Sequence, residues 1–420
     1  MRQTYHDLKQ EMQDRMSLLK ERLVRRHQSF KEMVGKAHIA IGVRRCGKTY
    51  LMYEKILDLL ESGVEFSRIL YLNLEDDRLQ PKNLVLMREL LDYFYQNNPK
   101  NHDQLVYFFF DEIQEIEEWS ALIRRLLDTK KCEIYLTGSS AKLLSKEIAT
   151  NMRGRSLSTE VWPFDFSEYL SIKKQMTIPH NSSQKSKDII FFYLRDYLLQ
   201  GGFPEITLTT SPEAQSVLQE YVDVAIFRDI VERHAIKNIP LIRHLVRTLL
   251  CNVATTFSIN KIYNDFKSQG YQLGKETLYH YLGFIDDCYM AFSIPLYSDS
   301  LRKVQVNARK IYACDTGMAT AFQHGYSENL GRLFENMIYL ELRRRGAELY
   351  YYKTREGYEI DFVAVFPGGQ RKLYQVAWDV TEAETLERET RALDIAKSEL
   401  GMEGVLLTPM NLVESEIVRF

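Results

Sequence analysis

Apolar runs and amphipathic stretches alternate along the first part of the chain. Four short, continuous apolar runs are typical of buried parallel strands, and they lie at 37–41, 69–74, 106–110 and 133–137. Apolar residues at three- and four-residue steps indicate helices at 49–60 and 117–127. This alternation predicts a parallel α/β sheet over residues 38 to about 160. A longer amphipathic helix is predicted ahead of the sheet, at 5–33.

The pattern becomes helical in the second part of the chain. Helices are predicted at 214–231, 241–255, 259–267 and 275–288, and strands at 289–297 and 303–312. Three helices followed by a β-hairpin predict a winged helix. Its third helix carries Lys275, Thr277, Tyr279 and His280, which suit a nucleic-acid groove. The alternative interpretation is a winged helix that only docks on neighbouring domains.

A third region carries polar residues on apolar strand faces. A helix is predicted at 331–345, and strands at 348–353, 359–366 and 372–378. Because strand side chains alternate between faces, Asp361 and Gln375 each share a face with apolar residues. Burying a polar group without a partner is costly, so these two residues mark a candidate site.

The composition is typical of a globular protein and does not indicate a particular partner. The 420 residues are 45% hydrophobic and 27% charged, and the formal net charge of −2 provides no overall field toward nucleic acid or membrane. The five cysteines lie far apart, which argues against a disulfide framework and for a reducing compartment. Charged residues open the chain and no run approaches 18 apolar residues, so we expect a cytoplasmic protein without a spanning helix.

A phosphate-binding loop follows the first strand. Residues 42–49 read GVRRCGKT and fit the pattern G-x-x-x-x-G-K-[ST]. Backbone N–H groups of such a loop cradle phosphates, while Lys48 reaches the β- and γ-phosphates and the Thr49 hydroxyl binds Mg²⁺. The expected ligands are ATP and Mg²⁺. The residues assigned to nucleotide binding are Gly42, Arg44, Arg45, Cys46, Gly47, Lys48, Thr49 and Tyr50.

The third predicted strand supplies the second half of such a site. It ends in Asp111 and Glu112, the arrangement that a Walker B element requires. We expect Asp111 to hold the Mg²⁺ shell and Glu112 to polarise the attacking water. Ser139 or Ser140, after the fourth strand, can contact the γ-phosphate or the water; a serine-rich turn without a catalytic part is the alternative.

These motifs resemble a prokaryotic group of AAA-type ATPases whose C-terminal domain is related to PD-(D/E)XK nucleases. The resemblance covers nearly the whole chain. It rests on GVRRCGKT, YLNLEDDRL, FFFDEIQ, YLTGSS, WPFDFSEYL, GGFPE, FRDI, GRLFENMIYLEL and EIDFVAV, in that order.

The resemblance implies a P-loop sheet of the catalytic-glutamate class, with the catalytic-glutamate strand inserted between the two Walker strands. A helical lid, a winged helix and a small nuclease-like α/β domain follow. The corresponding division of the chain is 1–36 (N-terminal helix), 37–175 (ATPase core), 187–240 (lid), 241–312 (winged helix) and 325–420 (nuclease-like domain).

The resemblance also implies dimers or larger homo-oligomers in which an arginine from a neighbour reaches the γ-phosphate. Arg153 and Arg155 are the candidates for this arginine. The expected catalytic residues are therefore Glu112, Lys48, Ser139 and Arg155. Arg228 is a candidate sensor in the lid. Ordinary surface arginines are the alternative for all three.

The last region departs from the nuclease pattern. Asp361 is present and Glu335 is a candidate helix acid, yet the next strand reads Gln375-Val376-Ala377, with alanine where the nuclease lysine belongs. Lys372 lies on the opposite face, and Lys353 is a candidate substitute from the neighbouring strand. The set Glu335, Asp361 and Gln375 therefore indicates a degenerate nuclease fold used for binding.

Three functions remain open at this stage. The first is a Mg-dependent ATPase that acts as a switch or motor. The second is an ATP-gated DNA nuclease, and the third is a scaffold that binds nucleotide for regulation, with DNA as a candidate partner. The complete Walker residues favour the first.

Overall fold

The structure is a computed structural model that describes residues 2–138, 152–174, 178, 183–209, 213–323 and 330–418. The chain divides into two compact units, Met1–Val161 and Trp162–Phe420. The finer domain boundaries inferred from the sequence remain predictions.

The first unit is a parallel five-stranded sheet with helices. Its strands are β1 (Ala37–Ile41), β2 (Ile69–Asn73), β3 (Val106–Asp111), β4 (Cys132–Gly138) and β5 (Ser156–Glu160). Its helices include α1 (Arg2–Leu19), α2 (Lys48–Glu61), α3 (Leu84–Asn97) and α4 (Trp119–Thr129). The strand order is β2-β3-β4-β1-β5, and every pairing is parallel. β1 and β3 are buried along their whole length, as continuous apolar runs predict.

Two expectations about this unit need correction. A strand does lie between β1 and β3, as expected, but this strand is β4, whereas the predicted catalytic Glu112 directly follows β3. The predicted helix at 5–33 ends at Leu19. Beyond it, main-chain groups bond to other elements: the N–H of Arg26 donates to the Glu54 carboxylate of α2, and the N–H of Lys31 donates to Thr159 of β5.

The second unit begins with helices. They are α5 (Phe166–Lys174), α6 (Gln184–Gln200), α7 (Pro204–Leu208), α8 (Ala214–Ala225), a π-helical turn Ile226–Val231 and α9 (Glu232–His234). The π-helical turn covers the FRDI motif, so the helix predicted at 214–231 is not a regular α-helix throughout.

Three helices and a small sheet follow. The helices are α10 (Ile239–Cys251), α11 (Ile259–Ser268) and α12 (Lys275–Asp287), and the strands β6 (Thr256–Phe257), β7 (Ala291–Ile294) and β8 (Arg309–Ala313) form an antiparallel sheet of order β6-β8-β7. The prediction of a strand at 303–312 is only partly correct. Residues Leu301–Val306 form helix α13, whose start is capped by the Ser300 hydroxyl, and only the apolar end of the segment is β8.

The last part is a four-stranded sheet with two long helices. Its strands are β9 (Glu348–Lys353), β10 (Glu359–Val365), β11 (Arg371–Val376) and β12 (Glu403–Leu407), in the order β12-β11-β10-β9. The helices are α14 (Thr316–Thr320), α15 (Leu330–Arg344), α16 (Ala383–Leu400) and α17 (Pro409–Leu412). Neither α16 nor β12 is among the elements predicted from the sequence.

Asp315 connects the start of helix α14 to the GGFPE motif inside the second unit. Its carboxylate caps α14 by accepting from the N–H of Met318, and it accepts from the N–H of Gly202 in the GGFPE motif at 2.7 Å. A Cβ on Gly202 would meet the carbonyl oxygen of Phe164 at 2.1 Å, so the close approach of these segments requires glycine there.

Within the described ranges, the helices are all too short or too polar to cross a bilayer.

Candidate functional site

The loop between β1 and α2 forms a cradle of main-chain groups. Gly47 precedes α2 with a left-handed backbone (φ 105°) and makes no side-chain cap. The first N–H groups of a helix lack internal partners, so they are available to an anion. At the other end of the loop, a Cβ on Gly42 would meet the carbonyl oxygen of Val161 at 2.2 Å. The loop therefore passes this close to Val161, directly after β5, only with glycine at position 42.

Lys48 is a buried cation at the base of the loop. Its side chain is almost fully buried, and Nζ donates to the carbonyl oxygens of Gly42 and Val43, both at 3.0 Å. Among the described residues no carboxylate pairs with it. Because a buried charge needs a counter-charge, this ammonium suits a phosphate group.

Asp111 lies within hydrogen-bonding distance of the loop. Its Oδ2 accepts from the Thr49 hydroxyl at 2.8 Å and from the Tyr71 hydroxyl at 2.9 Å, while Oδ1 accepts from the Thr137 hydroxyl. Burial raises the pKa of this carboxyl, and the hydrogen bonds from Thr137, Thr49 and Tyr71 oppose the rise. A hydroxyl next to a buried carboxylate is an oxygen set that fits Mg²⁺, so the residues present fit a magnesium-bound triphosphate.

Glu112 has a strained backbone that turns it away from β3. Its φ is 54°, in the left-handed region, and its N–H donates to the Thr137 hydroxyl at 2.9 Å. The Gln114 amide donates to Oε2 of Glu112. An unfavourable backbone conformation is retained where the surroundings determine it, which is typical of functional positions.

Thr137 and Gln114 are two residues of the candidate site that were not predicted from the sequence. Thr137 is fully buried at the end of β4 and touches both Asp111 and Glu112. It belongs to the TGSS segment in which Ser139 and Ser140 were the predicted residues, and both serines lie outside the described residues. A polar residue in an apolar strand was the available signal for Thr137.

The remaining predicted loop residues have separate surroundings. Arg44 lies 3.6 Å from the Glu75 carboxylate, and Arg45 has a left-handed backbone. Cys46 is fully buried, which raises the pKa of its thiol. Tyr50 is 55% exposed on α2, so its ring is open to solvent at the edge of the loop.

The structure does not bring Arg155 to the loop within one chain. The carbonyl of Arg155 accepts from the N–H of Ala37, at the start of β1, and its guanidinium pairs with Asp128. The loop follows the other end of β1, about 13 Å further along the strand. Arg153 and Arg155 line a cavity of about 340 Å³ with Arg124 and Arg125 of α4.

A second cluster lies in the Trp162–Phe420 unit. Glu335 of α15 and Asp361 of β10 do come together, and both contact Lys310 of β8: Nζ is 2.7 Å from Glu335 and 2.9 Å from Asp361. Lys310 also lies 3.0 Å from Glu359 and is only 2% exposed. Gln375 accepts from the N–H of Asp361 at 3.2 Å. Burial raises the pKa of Glu335 to about 7, with Asp361 adding to the rise and Lys310 opposing it.

The lysine of this cluster is Lys310, and not one of the two lysines expected from the sequence. Lys353 lies 3.9 Å from Glu359 and is 47% exposed. Lys372 lies over the ring of Tyr374. Lys310 comes from a strand 51 positions before Asp361, so no local spacing indicates it.

Three family models match successive parts of the chain. Residues 35–170 match the family described as "AAA domain". Residues 192–328 and 330–414 match two domains of unknown function, DUF8612 and DUF4143. The nuclease relationship is not part of these descriptions.

Similar proteins occur in archaea and bacteria. The uncharacterized protein MJ1544 of Methanocaldococcus jannaschii is 37% identical over 393 residues, which cover 92% of this chain and 85% of MJ1544. An uncharacterized protein of Haemophilus influenzae is 28% identical over 343 residues, covering 81% of this chain and 82% of its own. AMPPCP-bound DnaA from Aquifex aeolicus aligns with a TM-score of 0.28 and 14% identity, over 64% of this chain and 86% of DnaA. The chain therefore belongs to the same protein family as MJ1544, with an AAA domain over residues 35–170 followed by two domains of unknown function.

Proposed function

We propose that this protein binds Mg·ATP and hydrolyses it, and that it acts as a switch or motor. The observation that carries the proposal is the 2.8 Å contact between the Thr49 hydroxyl and the Asp111 carboxylate, beside the buried ammonium of Lys48. Thr49 and Asp111 are 62 positions apart in the sequence. Their contact places the candidate magnesium ligands next to the phosphate-binding loop.

The roles of the residues follow from their chemistry. Lys48 and the first N–H groups of α2 neutralise phosphate charge, and Thr49 and Asp111 hold magnesium. When bound, magnesium stabilises the negative charge that develops on the phosphate oxygens. Glu112 orients the attacking water and accepts its proton. Gln114 donates to one oxygen of that carboxylate, which leaves the other oxygen to accept a hydrogen bond from the attacking water.

Phosphate release by the Glu112→Gln variant tests this proposal. We expect at least a hundredfold slower release than in the wild type, on the order of the loss caused by removing a general base, with binding of a fluorescent ATP analogue retained. Glu117→Gln, an exposed acid in the same segment, is the matched control and should hydrolyse at the wild-type rate. Normal release by Glu112→Gln would contradict the mechanism.

We also propose that the C-terminal cluster does not cut DNA. The support for this is Lys310, whose ammonium lies within 3.0 Å of three carboxylates and so takes the place of a divalent cation among them. Plasmid incubated with the protein and Mg²⁺ or Mn²⁺ should stay intact. Cleavage that disappears in Asp361→Ala would favour the ATP-gated nuclease instead.

A further inference from the structure

A chain of hydrogen bonds connects α1 to the carboxylate proposed to hold magnesium. Arg15 donates to the Tyr53 hydroxyl at 2.6 Å, the Tyr53 and Tyr71 hydroxyls are 3.2 Å apart, and Tyr71 donates to Asp111 at 2.9 Å. These four residues come from α1, α2, β2 and β3. We refer to Arg15, Tyr53 and Tyr71 as the tyrosine relay.

The direction of every bond in the relay is fixed by the hydrogens available. An ionised Asp111 carboxylate only accepts, so Tyr71 must give it its one hydroxyl hydrogen. Tyr71 then has only its oxygen to offer Tyr53, so Tyr53 donates in turn. The Tyr53 oxygen accepts from Arg15, which is always a donor. The relay therefore runs one way, from the guanidinium toward the carboxylate, and each bond polarises the next.

The relay acts on the same oxygen that meets the phosphate loop. Oδ2 of Asp111 accepts from both Tyr71 and Thr49. Tyr53 is buried, and its ring packs against that of Tyr71 with centroids 5.4 Å apart, which limits the movement of both rings. Removal of the Tyr71 hydroxyl would leave Oδ2 with Thr49 as its single side-chain donor among the described residues.

Helix α1 is attached to the sheet near this point. It buries Tyr5, Met12 and Met16, and Glu11 on the same helix pairs with Arg78 at 2.6 Å, shortly after β2. Arg15 is exposed, so the relay begins on the protein surface and ends at a buried carboxylate.

We propose that Tyr71, Tyr53 and Arg15 are positioning residues that orient the Asp111 carboxylate for the magnesium ion of the nucleotide, so that the magnesium affinity of the site depends on α1. The proposal rests on the proposed Mg·ATP function of the same site. None of the three residues needs to touch nucleotide or metal. Groups that hold a metal-binding carboxylate in this way change metal affinity without contacting the ion.

The test is a magnesium titration of nucleotide binding. Binding of a fluorescent ATP analogue to the full chain is measured in EDTA and at increasing Mg²⁺. For Tyr71→Phe we expect the magnesium midpoint to rise about tenfold, the lower end of the loss seen when such a supporting partner is removed. Arg15→Met should raise the midpoint less, and binding in EDTA should match the wild type in both variants. Arg2→Met is the control, because Arg2 lies on the same helix over the ring of Tyr93 and outside the relay.

A double-variant comparison separates the relay from general damage. If the three residues act as one chain, Tyr53→Phe already disconnects Arg15, so adding Arg15→Met should shift the midpoint no further. Additive shifts, or an unchanged midpoint in Tyr71→Phe and Tyr53→Phe, would overturn the relay. If the wild type binds no nucleotide at any magnesium concentration, the proposed function itself fails. Tyr53→Phe keeps the test decisive if Tyr71→Phe does not fold.

Discussion

At the scale of single residues, the candidate site depends on a few polar groups buried at the ends of apolar strands. Asp111 and Thr137 are almost fully buried, and they are hydrogen-bonded to each other. Thr137 contributes one hydroxyl that donates to Asp111 and accepts from the N–H of Glu112. One side chain thus holds both the Asp111 carboxylate and the main chain of Glu112.

Thr137→Val removes that hydroxyl at nearly constant volume. We expect the free energy of unfolding to fall by about 1–3 kcal/mol, because the part-buried N–H of Glu112 and the buried carboxylate of Asp111 each lose a partner. Phosphate release should slow as well. Urea unfolding and a phosphate-release assay check both effects, with Thr129→Val as the control because Thr129 is exposed on α4. A variant as stable and as active as the wild type would rule out this role.

Much of the candidate nucleotide site follows from the sequence, because it depends on short-range spacing. The loop, its Lys48 and Thr49, and the Asp111-Glu112 pair are all adjacent to apolar runs that predict the strands correctly. Thr137, Gln114 and the tyrosine relay do not follow, since their contacts form between elements whose separation in the chain carries no fixed spacing.

At the scale of secondary-structure elements, caps and main-chain contacts decide where segments begin and end. The residues after Leu19 keep a helical pattern of apolar side chains, yet their main-chain groups bond to α2 and β5. β5 was missed because its residues, SLSTE, are mostly polar and lie at the edge of the sheet. Tertiary contacts of this kind override local propensity.

The cap of α14 predicts a specific dependence of stability on pH. Burial raises the pKa of Asp315 to about 6 from its ordinary 3.8, against the lowering effect of the hydrogen bonds from Gly202, Met318 and Gly317. The folded state therefore binds the proton more tightly than the unfolded state. The resulting stability is present below about pH 4 and is lost as the pH rises through 6, by about 3 kcal/mol at most.

Urea unfolding of the wild type and of Asp315→Asn between pH 4 and pH 7 checks this prediction. The free energy of unfolding of the wild type should fall relative to that of the variant as the pH rises. Asp299→Asn, at an exposed position, should follow the wild type. Parallel curves for the wild type and Asp315→Asn would contradict the assignment.

At the scale of the whole molecule, each unit has its own buried polar centre. The Met1–Val161 unit has the proposed nucleotide site, and the Trp162–Phe420 unit has the cluster around Lys310. That cluster joins β8 to α15 and β10, and so links the segment matching DUF8612 to the segment matching DUF4143. The sequence indicated the acids from their positions on apolar faces, whereas the lysine required the three-dimensional arrangement.

Lys310→Met should destabilise the second unit strongly. The change leaves Glu335 and Asp361 buried without their cation, and breaking a buried ion pair from one side costs about 3–5 kcal/mol. Lys353→Met is the control, because its exposed contact with Glu359 should contribute less than about 1 kcal/mol. Thermal or urea unfolding of both variants gives the comparison, and equal stabilities would show that the cluster is not a stabilising contact.

Calorimetric titration with ATP tests the proposed nucleotide site most directly. It compares the wild type with Lys48→Ala, each in magnesium and in EDTA. We expect the wild type to bind ATP with measurable heat, and more tightly when magnesium is present. Lys48→Ala should lose binding, whereas Lys20→Ala, at an exposed position just after α1, should retain it. The absence of heat with wild-type protein and Mg·ATP, or equal affinity in Lys48→Ala, would show that the loop, Thr49 and Asp111 do not form a nucleotide site.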